Sequence, residues 1–245
     1  MKTKTALKVL SVAALVGTFA TQASALELKM GHNGKPGSLF EASANEFAKA
    51  ANAKLGDKAK VTVFGSGQLG KDNEVIQQVR DGITESCISS AGGVAQHYPL
   101  VGVFDIPFAF PNIAVASKVI DKGSSFGKKF VGDLEAKTGL KVLGLIDSGG
   151  FFAFTNSKRP IASVADMKGL RIRTMTLPTH EAIISSLGGQ PTPLPWAEVY
   201  TALQTGVADG QMNPIPIITS VNFDEVQKFL SVSNHVITPD RKSVV

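Results

Sequence analysis

The chain has 245 residues, of which 43% are hydrophobic and 18% charged, a composition typical of a globular protein with one large domain or two modest ones. Its formal net charge is +5, but three lysines and no acid lie before residue 26, so the remainder carries only +2. No run of basic residues indicates a nucleic-acid-binding surface, and a single cysteine excludes an internal disulfide bond.

The N-terminus has the pattern of a secretory signal peptide. It begins with three lysines, residues 9–20 are apolar and uncharged, and a small-x-small sequence ends at Ala25. The apolar run is shorter than the roughly 20 residues that a membrane-spanning helix needs. We therefore predict that residues 1–25 are a signal peptide cleaved after Ala25 and that the protein is exported from the cytoplasm.

Beyond residue 25, strand-like and helix-like segments alternate, which predicts an α/β fold. Ser38 can cap a first long helix, in which apolar residues recur at helical spacing. In the first half of the chain we predict strands at 28–31, 60–64, 86–90 and 141–146, and helices at 40–55, 73–80, 115–122 and 126–137.

A glycine pair at Gly149 and Gly150 lets the backbone bend sharply and predicts a crossing between two lobes. The predicted first lobe is 26–149 and the second is 150–238. Pro178 suits the first turn of a helix that the next glycine pair ends. After the crossing we predict strands at 152–156, 170–175 and 230–237, and helices at 163–167, 178–187, 196–205 and 224–229.

Three segments of the second half form a long and specific pattern: DMKGLRIR at 166–173, LGGQPTP at 187–193 and EVYTALQTGVADGQMNP at 198–214. In the first half, 67–70 and 104–111 fit the same pattern. With these segments the chain resembles the solute-binding component of tripartite ATP-independent periplasmic (TRAP) transporters over nearly all of its length after the signal peptide.

The resemblance implies a two-lobe clamshell like that of periplasmic binding proteins, each lobe being a β-sheet flanked by helices. It implies a receptor, without catalytic residues, metal or cofactor, that captures a small organic acid between the lobes and delivers it to integral membrane TRAP subunits. We expect a monomer that binds no nucleic acid. Residues 239–245 are expected to begin a return to the first lobe, and the chain is expected to be truncated there.

Side chains should alternate along 170–175, so that Leu170 and Ile172 face one way and Arg171 and Arg173 the other. Arginine suits carboxylate binding because its planar guanidinium can donate two parallel hydrogen bonds. Both arginines could be solvated residues at the edge of the strand. The resemblance instead places the carboxylate-binding arginine at Arg173 and disfavours Arg171 for this role.

Other candidate ligand contacts follow from the same resemblance. Asn213, extended because Pro214 follows it, would be a neutral polar partner of the ligand, or else a turn residue. Trp196 would pack on the ligand, or else belong to the core of the lobe. The weaker candidates, all in the first lobe, are Ser90, His32, Asn33 and Glu74.

The sequence departs from the family pattern just after the predicted lobe crossing. Many members have a second arginine there, and the corresponding residue here is Phe151. An apolar wall would then replace a charged partner of the ligand. We therefore expect a compact or partly apolar organic acid rather than a highly polar sugar acid.

A glycine motif supports an alternative function. Residues 65–70 read G-x-G-x-x-G between a predicted strand and helix, and Glu85 lies 20 residues beyond Gly65, as in a dinucleotide-binding fingerprint. The alternative is a nucleotide-binding oxidoreductase, whereas the resemblance interprets these glycines as a turn. A secreted hydrolase is disfavoured because the sequence has no H-E-x-x-H motif and no closely spaced set of histidine and cysteine residues.

Overall fold

The structure is a computed structural model that describes residues 25–237 and 239–244. The predicted signal peptide, apart from Ala25, lies outside the described residues. Within them, no helix is both long and apolar enough to cross a membrane.

Strands and helices alternate along most of the described chain. The strands are β1 (Leu26–His32), β2 (Ala59–Phe64), β3 (Ser86–Ser89), β4 (Val142–Asp147), β5 (Phe152–Asn156), β6 (Arg171–Thr174), β7 (Gln190–Pro193), β8 (Gly210–Pro214), β9 (Phe229–Val232) and β10 (Pro239–Val244). The α-helices are α1 (Leu39–Leu55), α2 (Asp72–Arg80), α3 (Ala91–Val94), α4 (Ile113–Ile120), α5 (Ser125–Thr138), α6 (Pro178–Ser186), α7 (Val199–Thr205) and α8 (Ile215–Ser220).

The strands form two five-stranded sheets, and each sheet is the centre of one lobe. The first has the order β2-β1-β3-β10-β4, with β1 parallel to β2 and β3, and β10 antiparallel to both of its neighbours. The second has the order β7-β6-β8-β5-β9, with β6 parallel to β7 and β8, and β5 antiparallel to β8 and β9. This arrangement confirms the predicted two-lobe α/β clamshell. The numerical lobe boundaries stay predictions.

Several predicted elements are confirmed with their ends shifted by one or two residues. The Ser38 side chain accepts a hydrogen bond from the Glu41 amide and caps α1, as expected. Pro178 occupies the first turn of α6. The predicted helix at 196–205 begins as the 3-10 turn Trp196–Glu198 and continues as α7.

The predictions for the end of the second lobe are partly wrong. Instead of a helix at 224–229 there is a 3-10 turn, Phe223–Glu225, and Phe229 already belongs to β9. That strand stops at Val232, well before residue 237. It is an edge strand, and its alternate side chains, Leu230 and Val232, are exposed.

Two strands of the second sheet were not predicted from the sequence. β7 contains two prolines, which an edge strand tolerates because one side of it needs no ladder hydrogen bonds. β8 has the sequence GQMNP, whose composition disfavours strands, yet all five residues are buried between β6 and β5. Tertiary packing therefore overrides local propensity at β8.

The two lobes are also in direct contact with each other, through residues that follow β6. Leu177, which follows β6 of the second lobe, packs into the apolar core of the first. Gly92 gives room to Met175, since a Cβ atom on this glycine would lie 2.8 Å from the Met175 Cβ. His180 Nε2 lies 3.1 Å from Asp105 Oδ1, and both side chains are buried. The segment between β6 and α6 thus joins the two lobes.

Gly210, the first residue of β8, allows a close approach between β8 and β5. A Cβ atom there would lie 2.2 Å from the Thr155 carbonyl oxygen. We predict that Gly210→Ala lowers the free energy of unfolding by at least about 2 kcal/mol, because the backbones must separate. Gly132→Ala is the control: it lies inside α5, nothing surrounds its position within 4 Å, and a gain of about 0.5–1 kcal/mol is expected. Urea denaturation measures both, and equal effects would contradict the prediction.

Candidate ligand-binding site

A cavity of about 570 Å³ lies between the two lobes, and both lobes contribute to its lining. This volume is in the range of small-molecule pockets in proteins. The first lobe supplies residues that follow β1 and β3 or begin α2. The second supplies residues of β6, β8 and the 3-10 turn before α7. The carboxyl ends of parallel strands therefore meet at the cavity, where open α/β sheets commonly bind ligands.

Arg173 is the buried cation of this cavity. It is the third residue of β6, its side chain lines the cavity, and the residue is only 2% exposed. Nε and Nη2 donate hydrogen bonds of 3.1 and 2.7 Å to the Leu194 carbonyl oxygen, and the guanidinium carbon lies 5.8 Å from the centre of the Trp196 ring. These contacts hold the side chain in place and leave Nη1 for another partner.

The charge of Arg173 is poorly compensated by the protein. Burial lowers the pKa of Arg173 to about 9, and the negative charge of Asp72 acts in the opposite direction. Across the described residues, no carboxylate lies within 4 Å of this guanidinium. A buried charge is stabilised when an opposite charge reaches it, so the cavity favours an anion next to Arg173.

Arg171 lies on the same face of β6 but has a different role. Its Nη2 and Nε donate to the two carboxylate oxygens of Asp209 at 2.7 and 3.1 Å. This bidentate pair occupies the guanidinium outside the cavity, and Arg171 is not among the lining residues. Arg171 is therefore paired within the protein, rather than simply solvated as the sequence suggested.

Both other second-lobe candidates line the cavity where expected. Asn213 is 7% exposed and lies in β8, so it is a strand residue and not a turn residue. Trp196 lines the cavity and also packs on the apolar core of its lobe, with its ring 5.9 Å from that of Phe223. The two interpretations given for the tryptophan are thus compatible.

The first lobe presents a carboxylate that sequence reasoning missed. Asp72, the first residue of α2, accepts hydrogen bonds from Asn33 Nδ2 at 2.6 Å and from Ser90 Oγ at 3.0 Å, and all three residues line the cavity. Desolvation raises the pKa of Asp72, against the effect of these hydrogen bonds and of the Arg173 charge. An acid in the first turn of a helix is common, so the sequence carried no distinctive signal for it.

Glu74 lies at the edge of the cavity but serves α2 itself. Its Oε2 accepts a hydrogen bond of 2.9 Å from the Lys71 amide and so caps the start of the helix. This role accounts for the carboxylate without a ligand.

His32 does not line the cavity, in contrast to the expectation from sequence. It ends β1 with only 3% exposure, and its Nδ1 accepts a hydrogen bond from the Gly34 amide. The ring packs beneath Gly65, where a Cβ atom would lie 2.9 Å from His32 Cε1. Burial lowers the pKa of this histidine. Its position makes it a support of the adjoining turn.

The apolar wall comes from Phe152, and Phe151 is not among the lining residues. Phe152 begins β5, is buried, and meets the His180 ring edge-on with centroids 5.8 Å apart. Successive side chains along an extended chain point to opposite faces, so an error of one residue assigns the wrong side chain to the cavity. The assignment of the wall to Phe151 is therefore corrected by one position.

The glycine motif at 65–70 forms the turn between β2 and α2. The Gly67 amide donates to the His32 carbonyl oxygen, and a Cβ atom on Gly67 would lie 2.7 Å from Asn33 Oδ1. Glu85, the candidate ribose ligand, instead accepts a hydrogen bond of 2.6 Å from the Lys29 amide. Acids also occupy the first turn of α2, where a pyrophosphate would have to bind. These contacts give no support to the oxidoreductase alternative.

Two contacts join the lobes at the edge of the cavity. Lys71 Nζ of the first lobe lies 2.8 Å from Glu198 Oε1 of the second, and this hydrogen bond raises the pKa of Lys71. Lys35 Nζ lies 4.7 Å from the centre of the Tyr200 ring. Both lysines line the cavity, so these contacts hold the lobes together beside the ligand space.

Two α/β lobes that enclose a cavity with a buried guanidinium define the class of two-lobe solute-binding proteins. Comparison with known proteins gives the family. The family model described as bacterial extracellular solute-binding protein, family 7, matches residues 30–242. The chain belongs to this family, and the resemblance to TRAP solute-binding proteins is confirmed.

Individual relatives agree with this assignment. A solute-binding protein of Verminephrobacter eiseniae is 37% identical over 193 residues, covering 79% of this chain and 56% of the relative. A 2,3-diketo-L-gulonate-binding periplasmic protein of Escherichia coli is 33% identical over 239 residues, covering 98% and 72%. The crystal structure of a TRAP periplasmic solute-binding protein from Polaromonas, bound to D-erythronate, has a TM-score of 0.84 at 35% identity, covering 89% and 71%. The chain thus spans only part of the length of these relatives.

The Lys71–Glu198 pair leads to a prediction about ligand release. Glu198→Gln should speed the dissociation of a bound ligand by about a few-fold, because exposed ion pairs contribute modestly. High salt should produce a similar acceleration in the parent protein and little in the variant. Stopped-flow fluorescence of Trp196, the single tryptophan, measures the rate. The control is Glu46→Gln, an exposed pair partner of Lys49 on α1; equal rates in all three proteins would refute the role of the contact.

Proposed function

We propose that this protein is an exported receptor that captures a small organic acid in the interlobe cavity and delivers it to the membrane subunits of a TRAP transporter. The observation that carries the proposal is the buried guanidinium of Arg173, which lines the cavity and has no carboxylate within ion-pair distance in the described part of the chain. The ligand carboxylate would supply the missing charge without undergoing any chemical change.

The strength of this interaction follows from the surroundings of Arg173. Hydrogen bonds to charged groups contribute roughly 1.5–3 kcal/mol each, and they gain strength where water is excluded. Trp196 and Phe152 line the second-lobe side of the cavity, where their apolar rings disfavour water. A bound acid would interact with both lobes and so favour the closed arrangement by its extra affinity for that arrangement.

The first-lobe side of the cavity favours a ligand that also carries hydrogen-bond donors. Asp72 is an acceptor, and it lies opposite a cation that attracts the ligand carboxylate. A hydroxy acid would satisfy both groups. The D-erythronate bound by the Polaromonas relative is such a compound, and the E. coli relative is named for a keto sugar acid. The sequence led to the expectation of a compact or partly apolar acid rather than a highly polar sugar acid, and D-erythronate agrees with that expectation in being compact but not in being apolar.

The remaining functional steps rest on the family. We propose periplasmic localisation after removal of residues 1–25, binding as a monomer, and docking of the closed receptor on integral membrane subunits. Transport energy would come from an ion gradient across the membrane, as the resemblance implies.

The central role of Arg173 can be tested by a thermal-shift screen with organic acids, including D-erythronate and succinate. An acid that binds the folded state raises the melting temperature of the parent. Arg173→Ala and Arg173→Lys should both lose this increase, because a lysine cannot reproduce the planar fork. Arg171→Lys is the matched control on the same strand: it weakens the pair with Asp209 but should keep the ligand-induced increase. Retention of the increase in Arg173→Ala would refute the site.

The hydroxy-acid preference makes a separate prediction for Asp72→Asn. The substitution keeps the shape and the hydrogen bond from Asn33, but removes a negative charge and a strong acceptor. We expect binding of D-erythronate to weaken and binding of the dianion succinate to strengthen, so that the ratio of dissociation constants changes about tenfold. Isothermal titration calorimetry measures both constants, and an unchanged ratio would remove Asp72 from the ligand contacts.

A further inference from the structure

Four buried side chains form a continuous hydrogen-bonded series behind the cavity, across the second sheet. Asn213 Nδ2 donates to Gln211 Oε1 at 2.6 Å, Gln211 Nε2 donates to Thr155 Oγ1 at 2.9 Å, and the Thr155 hydroxyl donates to Gln227 Oε1 at 2.9 Å. Each of the four residues is at most 8% exposed. Of the four, only Asn213 lines the cavity, so the other three are not in a position to contact a ligand there.

The direction of this series is fixed at the end far from the cavity. Gln227 Nε2 lies 2.9 Å from the Val226 carbonyl oxygen and 3.1 Å from Ser157 Oγ. The Ser157 hydroxyl already donates its hydrogen to the Val226 carbonyl, at 2.9 Å. A carbonyl oxygen can only accept, so the amide group facing it must be the NH₂ group. Gln227 therefore turns its Oε1 toward Thr155.

Each following bond inherits this direction. A hydroxyl has a single hydrogen, and Thr155 uses it on Gln227 Oε1, so its oxygen must accept from Gln211 Nε2. The amide of Gln211 then presents Oε1 to Asn213, which has to donate. If Asn213 were flipped, two oxygens would face each other at 2.6 Å in a buried place, or every member would have to reverse and set Gln227 Oε1 against the Val226 carbonyl.

We infer that Gln211, Thr155 and Gln227 are positioning residues that fix the orientation of the Asn213 amide toward the ligand. In this orientation the Asn213 NH₂ group faces Gln211, which is paired with Arg173 in the strand register. The carbonyl oxygen lies on the opposite side of the amide. Asn213 thus offers a ligand one remaining N–H donor and one acceptor in fixed places.

The orientation of the Asn213 amide also adds to the preference for a particular kind of ligand. This step rests on the proposed function. An acid bound at Arg173 would meet an acceptor at Asn213 Oδ1, which selects a hydroxyl group or another donor on the ligand. Asn213 Oδ1 and Asp72 would then accept from the ligand on the second-lobe and first-lobe sides of the cavity. The orientation of the amide itself does not depend on any ligand.

The first test uses the parent protein without ligand. Nuclear Overhauser effects should connect the Asn213 side-chain NH₂ protons to the Gln211 side chain. In Thr155→Val these effects should weaken, because the valine can neither accept from Gln211 nor donate to Gln227. Thr155→Ser keeps the hydroxyl and should restore them. If the parent shows no such effects, the inferred orientation is wrong, whatever the protein binds.

The second test measures D-erythronate binding by calorimetry. We expect about tenfold weaker binding for Thr155→Val and a change of less than about twofold for Thr155→Ser. The matched control is Thr174→Val, because Thr174 is fully buried next to Arg173 and its hydroxyl has no hydrogen-bond partner among the described residues. Parent-like binding by Thr155→Val, or an equal loss in Thr174→Val, would overturn the positioning role. If the parent itself fails to bind D-erythronate, the hydroxy-acid proposal fails while the first test still decides the orientation.

Discussion

The structure depends on a positive charge held away from water between two lobes. Arg173 is fixed by the Leu194 carbonyl oxygen and by the face of Trp196, but neither of these carries a full negative charge. Burial of such a group is unfavourable unless an anion approaches it, and the low pKa of this guanidinium reflects that imbalance. The cavity supplies the space in which an acid can correct the imbalance.

The first lobe complements this charge without neutralising it. Asp72 is held by Asn33 and Ser90, so its carboxylate stays on its own side of the cavity as an acceptor. The turn at 65–70 leads from β2 into α2 and passes close to the Asn33 side chain, with Gly67 and Gly70 at the positive φ values that glycine adopts readily. Meanwhile Leu177 and Met175 anchor the second lobe in the core of the first. The proposed ligand-binding groups therefore come from two lobes that are in direct contact with each other.

Much of this arrangement could be predicted from the sequence, and the failures have physical causes. Alternation along β6 correctly pointed Arg171 and Arg173 to one face, because strand geometry is local. The assignment of the wall to Phe151 failed by one residue, because it was made by matching a family pattern, whereas the side chain at the cavity belongs to Phe152, the first residue of β5. The strand β8 and the partners of Asn213 were also missed. Their polar side chains are held by hydrogen bonds between residues up to 72 positions apart in the sequence, and no local sequence pattern indicates such pairs.

The central claim is that a ligand carboxylate binds the guanidinium of Arg173 between the lobes. The most direct test is a crystal structure of the protein with D-erythronate or with the acid that gives the largest thermal shift. We expect carboxylate oxygens at roughly 2.7–2.9 Å from guanidinium nitrogens of Arg173, with the ligand touching residues of both lobes. A ligand bound outside the interlobe cavity, or one inside it whose carboxylate makes no contact with Arg173, would contradict the proposed site.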